Sequence, residues 1–201
     1  MTQTTPDYIW DVFVSYKREP DGVNLITPWI REVVERVELW LRQELRGRPI
    51  RVFLDTDSIE IGSHWPDRLR HAILTSRCLV PILSPEYFQS RWCLTEWSSF
   101  RARERLIRPP CESLIVPMKF HDGQWFPPEA QQIRTLDLSR HAGTTPAFWA
   151  TKRADELDQM LVPFAQRVAE VISQVPPFSA EWPIHEGVAA DAPDRFPMPR
   201  L

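Results

Sequence analysis

IWDVFVSY, residues 9–16, is the stretch on which the fold turns: it is short, rich in aromatic and β-branched residues, and apolar enough to be buried. It reads as a strand. Beyond it the chain turns around Pro20–Gly22, and Pro28 suits the first turn of a helix. Ile30, Val33, Val34, Val37, Leu41 and Leu45 then recur at helical spacing between charged residues, with Gly47 where a helix end favours glycine. Ile50–Leu54 reads as a second strand, and the loop DTDSIEIGSHW follows it at 55–65. Pro66 opens a second helix through Leu69, Ile73 and Leu74, and Cys78–Leu83 is a third strand. One helix is expected from Ser84-Pro85 through PEYFQSRWCLTEWSSFRARER. Leu114–Phe120 reads as the fourth strand and Ile133–Leu138 as a short fifth. The last helix spans Ala154–Gln174, with Pro163 expected to kink or interrupt it.

Strands that alternate with helices imply parallel pairing, because each parallel neighbour needs a crossover. Five such units fit an α/β, flavodoxin-like, doubly wound sheet of order 2-1-3-4-5 with helices on both faces. The expected organisation is an N-terminal tail at 1–7, one domain at 8–175, and a C-terminal tail at 176–201 in which six of 26 residues are proline. Such a composition predicts an extended tail, on the domain or awaiting a partner, that adds nothing to the sheet and is dispensable for folding.

Composition excludes several classes. The 201 residues suffice for one ordinary domain, and 43% hydrophobic with 25% charged residues is a globular balance. A net charge of −3 gives no basic field to attract nucleic acid or anionic lipid. The polar start resembles no secretory signal, and no apolar run is long enough to span a bilayer, so a cytoplasmic location without a membrane is expected. Three cysteines without a CxxC pair and five scattered histidines indicate neither a disulfide framework nor a metal site. The glycine-rich dinucleotide, P-loop and hydrolase motifs are all absent.

In a sheet of this order, ligands bind beyond the carboxyl ends of the strands, near the switch point between the first and third. Three segments fall there. Ser15-Tyr16-Lys17-Arg18 hands two cations to a loop, where they suit a diphosphate; taken alone, a solvated charge pair is the commoner outcome. The loop 55–65 mixes Asp55, Asp57 and Glu60 with Ile59, Ile61 and Gly62; it is long for a strand-to-helix connection, and the plainer reading is an ordinary surface loop whose isoleucines fold back on the core. The third segment, SRWCLTEW at 90–97, places Trp92 and Glu96 four apart on one helix face. An aromatic plate beside a carboxylate suits a planar cationic leaving group and positive charge building on a ribose. A lone helical glutamate is most often a solvated surface residue. Here Phe100 stands at i+4 instead of a cation, and Cys93 and Trp97 flank the carboxylate.

The ordered set of these segments resembles a TIR domain. DVFVSYKR (11–18) resembles the family's opening strand, and VFLDTDSIEIGSHW (52–65) its second strand and BB loop. SRWCLTE (90–96) is similar to the S-x-W-C-x-x-E helix of NAD-cleaving bacterial members, and LIVPMKF (114–120) to the fourth strand. The resemblance covers about residues 8–174 and implies that Glu96 is the catalytic carboxylate. The substrate contacts it implies are Trp92, Tyr16, Ser15, Lys17, Arg18, Asp55, Ile61, Gly62, Ser90 and Cys93. It further implies NAD+ as substrate rather than cofactor, no metal, and a pocket completed by the BB loop of a second TIR protomer. The extended segment 19–27 and the proline-rich tail depart from the family pattern, and the chain carries no fused sensor, so a separately encoded activator is expected.

The leading expectation is an NAD+ glycohydrolase or ADP-ribosyl cyclase that releases nicotinamide and acts in bacterial antiviral immunity. A non-enzymatic adaptor working by homotypic binding is the alternative, and its hallmark would be loss of the helix carboxylate. Nucleotide transfer on a related flavodoxin-like fold shares carboxylate chemistry but does not predict the BB-loop pattern.

Overall fold

A computed structural model describes residues 7–18, 26–54, 65–107, 113–121, 123–124 and 126–185. Five parallel strands form one sheet of order β2-β1-β3-β4-β5. They are β1 (Trp10–Tyr16), β2 (Val52–Leu54), β3 (Ser76–Leu83), β4 (Met118–Lys119) and β5 (Leu136–Asp137). The crossovers carry α1 (Thr27–Glu44), α2 (Trp65–Thr75), α3 (Arg91–Leu106) and a one-turn α4 (Pro128–Gln131), and α5 (Lys152–Gln174) closes the domain. The doubly wound order expected from the sequence is the observed one.

β1 is the centre. Its residues alternate faces: Val12 and Val14 face Val34, Val37 and Leu41 of α1, while Phe13 stacks on Phe53 of β2, 5.0 Å between ring centres. On that second face the Arg68 guanidinium of α2 lies over Phe53. Helices therefore cover both sides, with α1 packed along α5. Asp11, fully buried, pins β2 to β1: it accepts from the Arg51 backbone N–H and from Arg48 Nη2, both at 3.0 Å, and Arg77 Nε lies 3.4 Å away.

Several element boundaries differ from the sequence expectation for identifiable reasons. The helix expected from Pro85 onward is broken: Tyr87–Gln89 is a 3-10 turn, and Ser90 is extended at φ −86°, ψ 117°. Its Oγ accepts from the Cys93 N–H at 3.4 Å, so α3 starts at Arg91 with Ser90 as its cap. The fourth strand is shorter than expected because of Pro81. Leu79 donates to Leu114 O and accepts from Val116 N, both at 2.9 Å. The next β3 donor toward β4 falls at Pro81, which has no N–H, and the ladder resumes only where Ile82 and Leu83 pair with Met118 and Lys119. Pro163 does not interrupt α5, which runs on to Gln174. It stands on the exposed face, where water can serve the carbonyl left without a donor.

The chain does not leave the domain at Val175. Tyr8 Oη donates to Pro176 O at 3.2 Å and accepts from Trp182 Nε1 at 3.2 Å. Phe178 meets Tyr8 edge-on, 5.5 Å between centres. The His185 N–H bonds Ser99 Oγ on α3 at 3.0 Å. Trp182 also covers the buried guanidinium of Arg103, 5.4 Å from its ring centre. Residues 176–185 thus form a strap across the amino edge of the sheet, which is the first of the two courses that composition allowed, an extended segment lying on the domain. The physical reason is that Phe178, Trp182 and Ile184 supply apolar surface that the proline count conceals. Trp182→Ala removes a half-buried indole and its hydrogen bond, at a cost of about 2 kcal/mol, or about 4–8 °C in Tm by calorimetry. Truncation after Val175 is expected to lower Tm at least as far, against the dispensability expected from composition.

Candidate functional site

At the carboxyl edge, beside the switch point between β1 and β3, three polar side chains meet in the interior. Ser15 ends the buried part of β1 and lies opposite Pro81 in the register with β3. Tyr87, from the 3-10 turn after β3, is completely buried and places its hydroxyl 2.9 Å from Ser15 Oγ. Glu96, from the second turn of α3, is only 7% exposed, and its Oε2 accepts a hydrogen bond from Ser15 Oγ. The S-x-x-C cap at Ser90 fixes where α3 begins and so sets which turn carries the carboxylate inward.

The surroundings of Glu96 keep nearby acids neutral. Burial pushes the Cys93 thiol from 9.0 up to about 12; the charge of Glu96 adds to this, while Ser90, Lys17 and Ser15 act weakly the other way. Burial likewise holds the Tyr87 phenol well above its ordinary value, reinforced by Cys93 and Glu96 and opposed by the bond to Ser15. Cys93 is therefore a thiol and no nucleophile at neutral pH. That leaves Glu96 as the chemically distinctive group of the cluster.

The sequence-derived site residues fall into three sets. Ser15, Ser90, Cys93 and Glu96 come together around the start of α3, and Lys17 is close enough to act electrostatically on Cys93. Lys17 Nζ donates to the Arg18 carbonyl at 2.8 Å, and both residues, like Tyr16, are partly buried where β1 gives way to its loop. Trp92, one turn before Glu96, is 38% exposed at the helix start. Asp55, Ile61 and Gly62 lie outside the described residues. Sequence reasoning missed Tyr87, although the switch-point rule directs attention to the segment after Leu83. Among the described residues no cluster of three or more His, Cys, Asp or Glu is placed to hold a metal.

A sequence model of the family described as "TIR domain" matches residues 12–151. The chain belongs to the TIR-domain family. The match runs from β1 to the residue before α5, and so includes the Ser15–Tyr87–Glu96 cluster. Among solved structures, this TIR domain is similar to that of the Toll-related receptor TRR-2 from Hydra magnipapillata. The identity is 18%, with 73% of this chain and 97% of that one covered and a TM-score of 0.42. It is also similar to the TIR domains in the activated Roq1 resistosome recognizing the effector XopQ. There the identity is 21%, coverage is 80% and 84%, and the TM-score is 0.37.

Burial of the Cys93 thiol carries an expectation for stability in alkali. In the unfolded chain a thiol ionises near 9.0, whereas folded Cys93 holds its proton to about 12. Across that window the unfolded state binds fewer protons, so stability present below pH 9.0 is lost as pH rises. Calorimetry is expected to show Tm falling above that pH, with a flatter slope for Cys93→Ser. Cys78 and Cys93, both buried, should also escape alkylation by iodoacetamide at neutral pH until the protein is unfolded, as peptide mass mapping would show.

Proposed function

We propose that this TIR domain cleaves NAD+ at the nicotinamide–ribose bond, with Glu96 as its catalytic carboxylate. The observation that carries the proposal is a glutamate 7% exposed, held by Ser15 at the switch point of a doubly wound sheet. Burying a carboxylate is costly, and its likeness in position to the carboxylate of NAD-cleaving family members gives that cost a use. Loss of nicotinamide leaves an oxocarbenium-like ribose. A preorganised carboxylate in a water-poor site stabilises that charge better than a solvated one, because little reorganisation is needed as the bond breaks. Trp92 and Tyr16 would wall the nicotinamide and ribose, while Lys17 and Arg18 would meet the diphosphate. Ser90 and Cys93 shape the start of α3 beneath them.

In this reading residues 55–65, with Asp55, Ile61 and Gly62, dock on a neighbouring protomer and complete its pocket. The setting is cytoplasmic immunity against phage, switched on by a separately encoded activator. Turnover is then expected to rise faster than linearly with protein concentration, and Gly62→Pro is expected to suppress it without changing the Tm of the monomer. A linear dependence that ignores the substitution would mean that one protomer is self-sufficient.

The deciding measurement is nicotinamide release from NAD+ by the assembled protein, followed by chromatography. Glu96→Gln keeps the shape and removes the charge, and is expected to lower kcat by about 10²–10³ with the fold retained. Substantial cleavage by folded Glu96→Gln would remove Glu96 from the mechanism. An assembled, activated wild type that never cleaves NAD+ would leave homotypic binding as the function.

A further inference from the structure

Tyr87 is fixed from every side. Its backbone N–H bonds both Ser84 O at 3.1 Å and Ser84 Oγ at 3.2 Å, and its ring packs edge-on against Phe88 with 5.2 Å between centres. It is wholly buried, and its hydroxyl is delivered to Ser15 Oγ at 2.9 Å. A hydroxyl has one hydrogen to give. Ser15 gives its own to Glu96 Oε2, so Tyr87 must be the donor of the Tyr87–Ser15 pair. The phenol, held well above its ordinary value by burial, keeps that hydrogen at every pH of interest. The result is a one-way chain from Tyr87 through Ser15 to the carboxylate, in which each bond polarises the next. A phenylalanine would fill the same space without a buried hydroxyl to satisfy, so packing alone does not account for the tyrosine.

We propose that Tyr87 is a positioning residue for Glu96: acting through Ser15, its hydroxyl fixes the orientation of the carboxylate at the carboxyl edge of the sheet. The proposal rests on the reading of Glu96 as the carboxylate that cleaves NAD+. Tyr87 itself need not touch substrate. Its role is to leave Ser15 a single rotamer, so that Glu96 meets the ribose already oriented.

The test uses the full chain with Tyr87→Phe, Ser15→Ala and the double variant, each followed by nicotinamide release and by carbon-13 NMR of the glutamate carboxyl groups. The Glu96 resonance is assigned by its loss in Glu96→Gln. Tyr87→Phe keeps the ring and is expected to lower kcat about tenfold, the effect of one buried hydrogen bond, with little change in KM. Because Tyr87 acts through Ser15, the double variant is expected to lose no more than Ser15→Ala alone. The Glu96 resonance should move in the same direction in both single variants. Additive losses, an effect confined to KM, or an unmoved Glu96 resonance in folded Tyr87→Phe would overturn the proposal. Should Tyr87→Phe melt early, Ser15→Ala breaks the same chain at its middle, and full kcat with an unmoved resonance there would overturn it equally. If the wild type releases no nicotinamide, the NAD+ reading falls, and the resonance alone decides whether Tyr87 orients Glu96.

Discussion

The parallel pairing of β1 with β3 is the constraint on which the rest depends. Six residue pairs, from Trp10 with Ser76 to Tyr16 with Ile82, set these two strands in a single register. A shift of one residue would turn every side chain of β1 to the opposite face, sending Phe13 and Ser15 to the α1 side and Val12 and Val14 away from it. Asp11 guards the register from one end, because its buried carboxylate is satisfied only where Arg51, Arg48 and Arg77 converge. Ser15 reads it out at the other, because only this alignment brings its hydroxyl between Tyr87 and Glu96.

Two buried charges on α3 divide the helix into halves with different tasks. Glu96, near its start, is held by the Ser15 hydroxyl at the carboxyl edge. Arg103, two turns on and fully buried, has no carboxylate partner among the described residues. It donates instead to the carbonyls of Ser76 at 2.7 Å and Ile73 at 2.9 Å, where α2 ends and β3 begins. Carbonyls at a helix C-terminus carry partial negative charge, and the rings of Phe100 and Trp182 lie over the guanidinium. Burial lowers the pKa of Arg103 to about 10, so it still carries its charge at neutral pH. α3 is thereby bolted to the sheet at its far end while its near end presents the carboxylate.

The sheet was legible because periodicity and crossover logic are local and additive. Buried strands at 10–16 and 76–83, and helices whose apolar residues recur every three or four positions, leave few other ways to arrange five units. What sequence did not disclose depended on contacts between distant segments. The sequence places Ser90 within a helix, and only the turn at Tyr87–Gln89 makes it the cap. The gap in β4 is caused by Pro81 on another strand, and the strap by Tyr8 and Arg103, far away in sequence. Within the site, Glu96 and Ser15 stood out by residue type and place. Tyr87 did not, because a tyrosine after a strand is ordinary until its hydroxyl is seen to reach Ser15.

The strap bears on how the chain reaches its final form. Tyr8 and Pro176 are 168 positions apart, so a residue that precedes the first strand is capped by one that follows the last helix. Contacts of such separation raise contact order and form late, after the loop between them has already been shortened by folding of everything inside it. A nascent chain released only as far as α5 has every strand of the sheet but leaves Arg103 and the base of β1 uncovered. Closure then comes as a final docking event, in which Trp182 settles on a surface that the rest of the domain has already built.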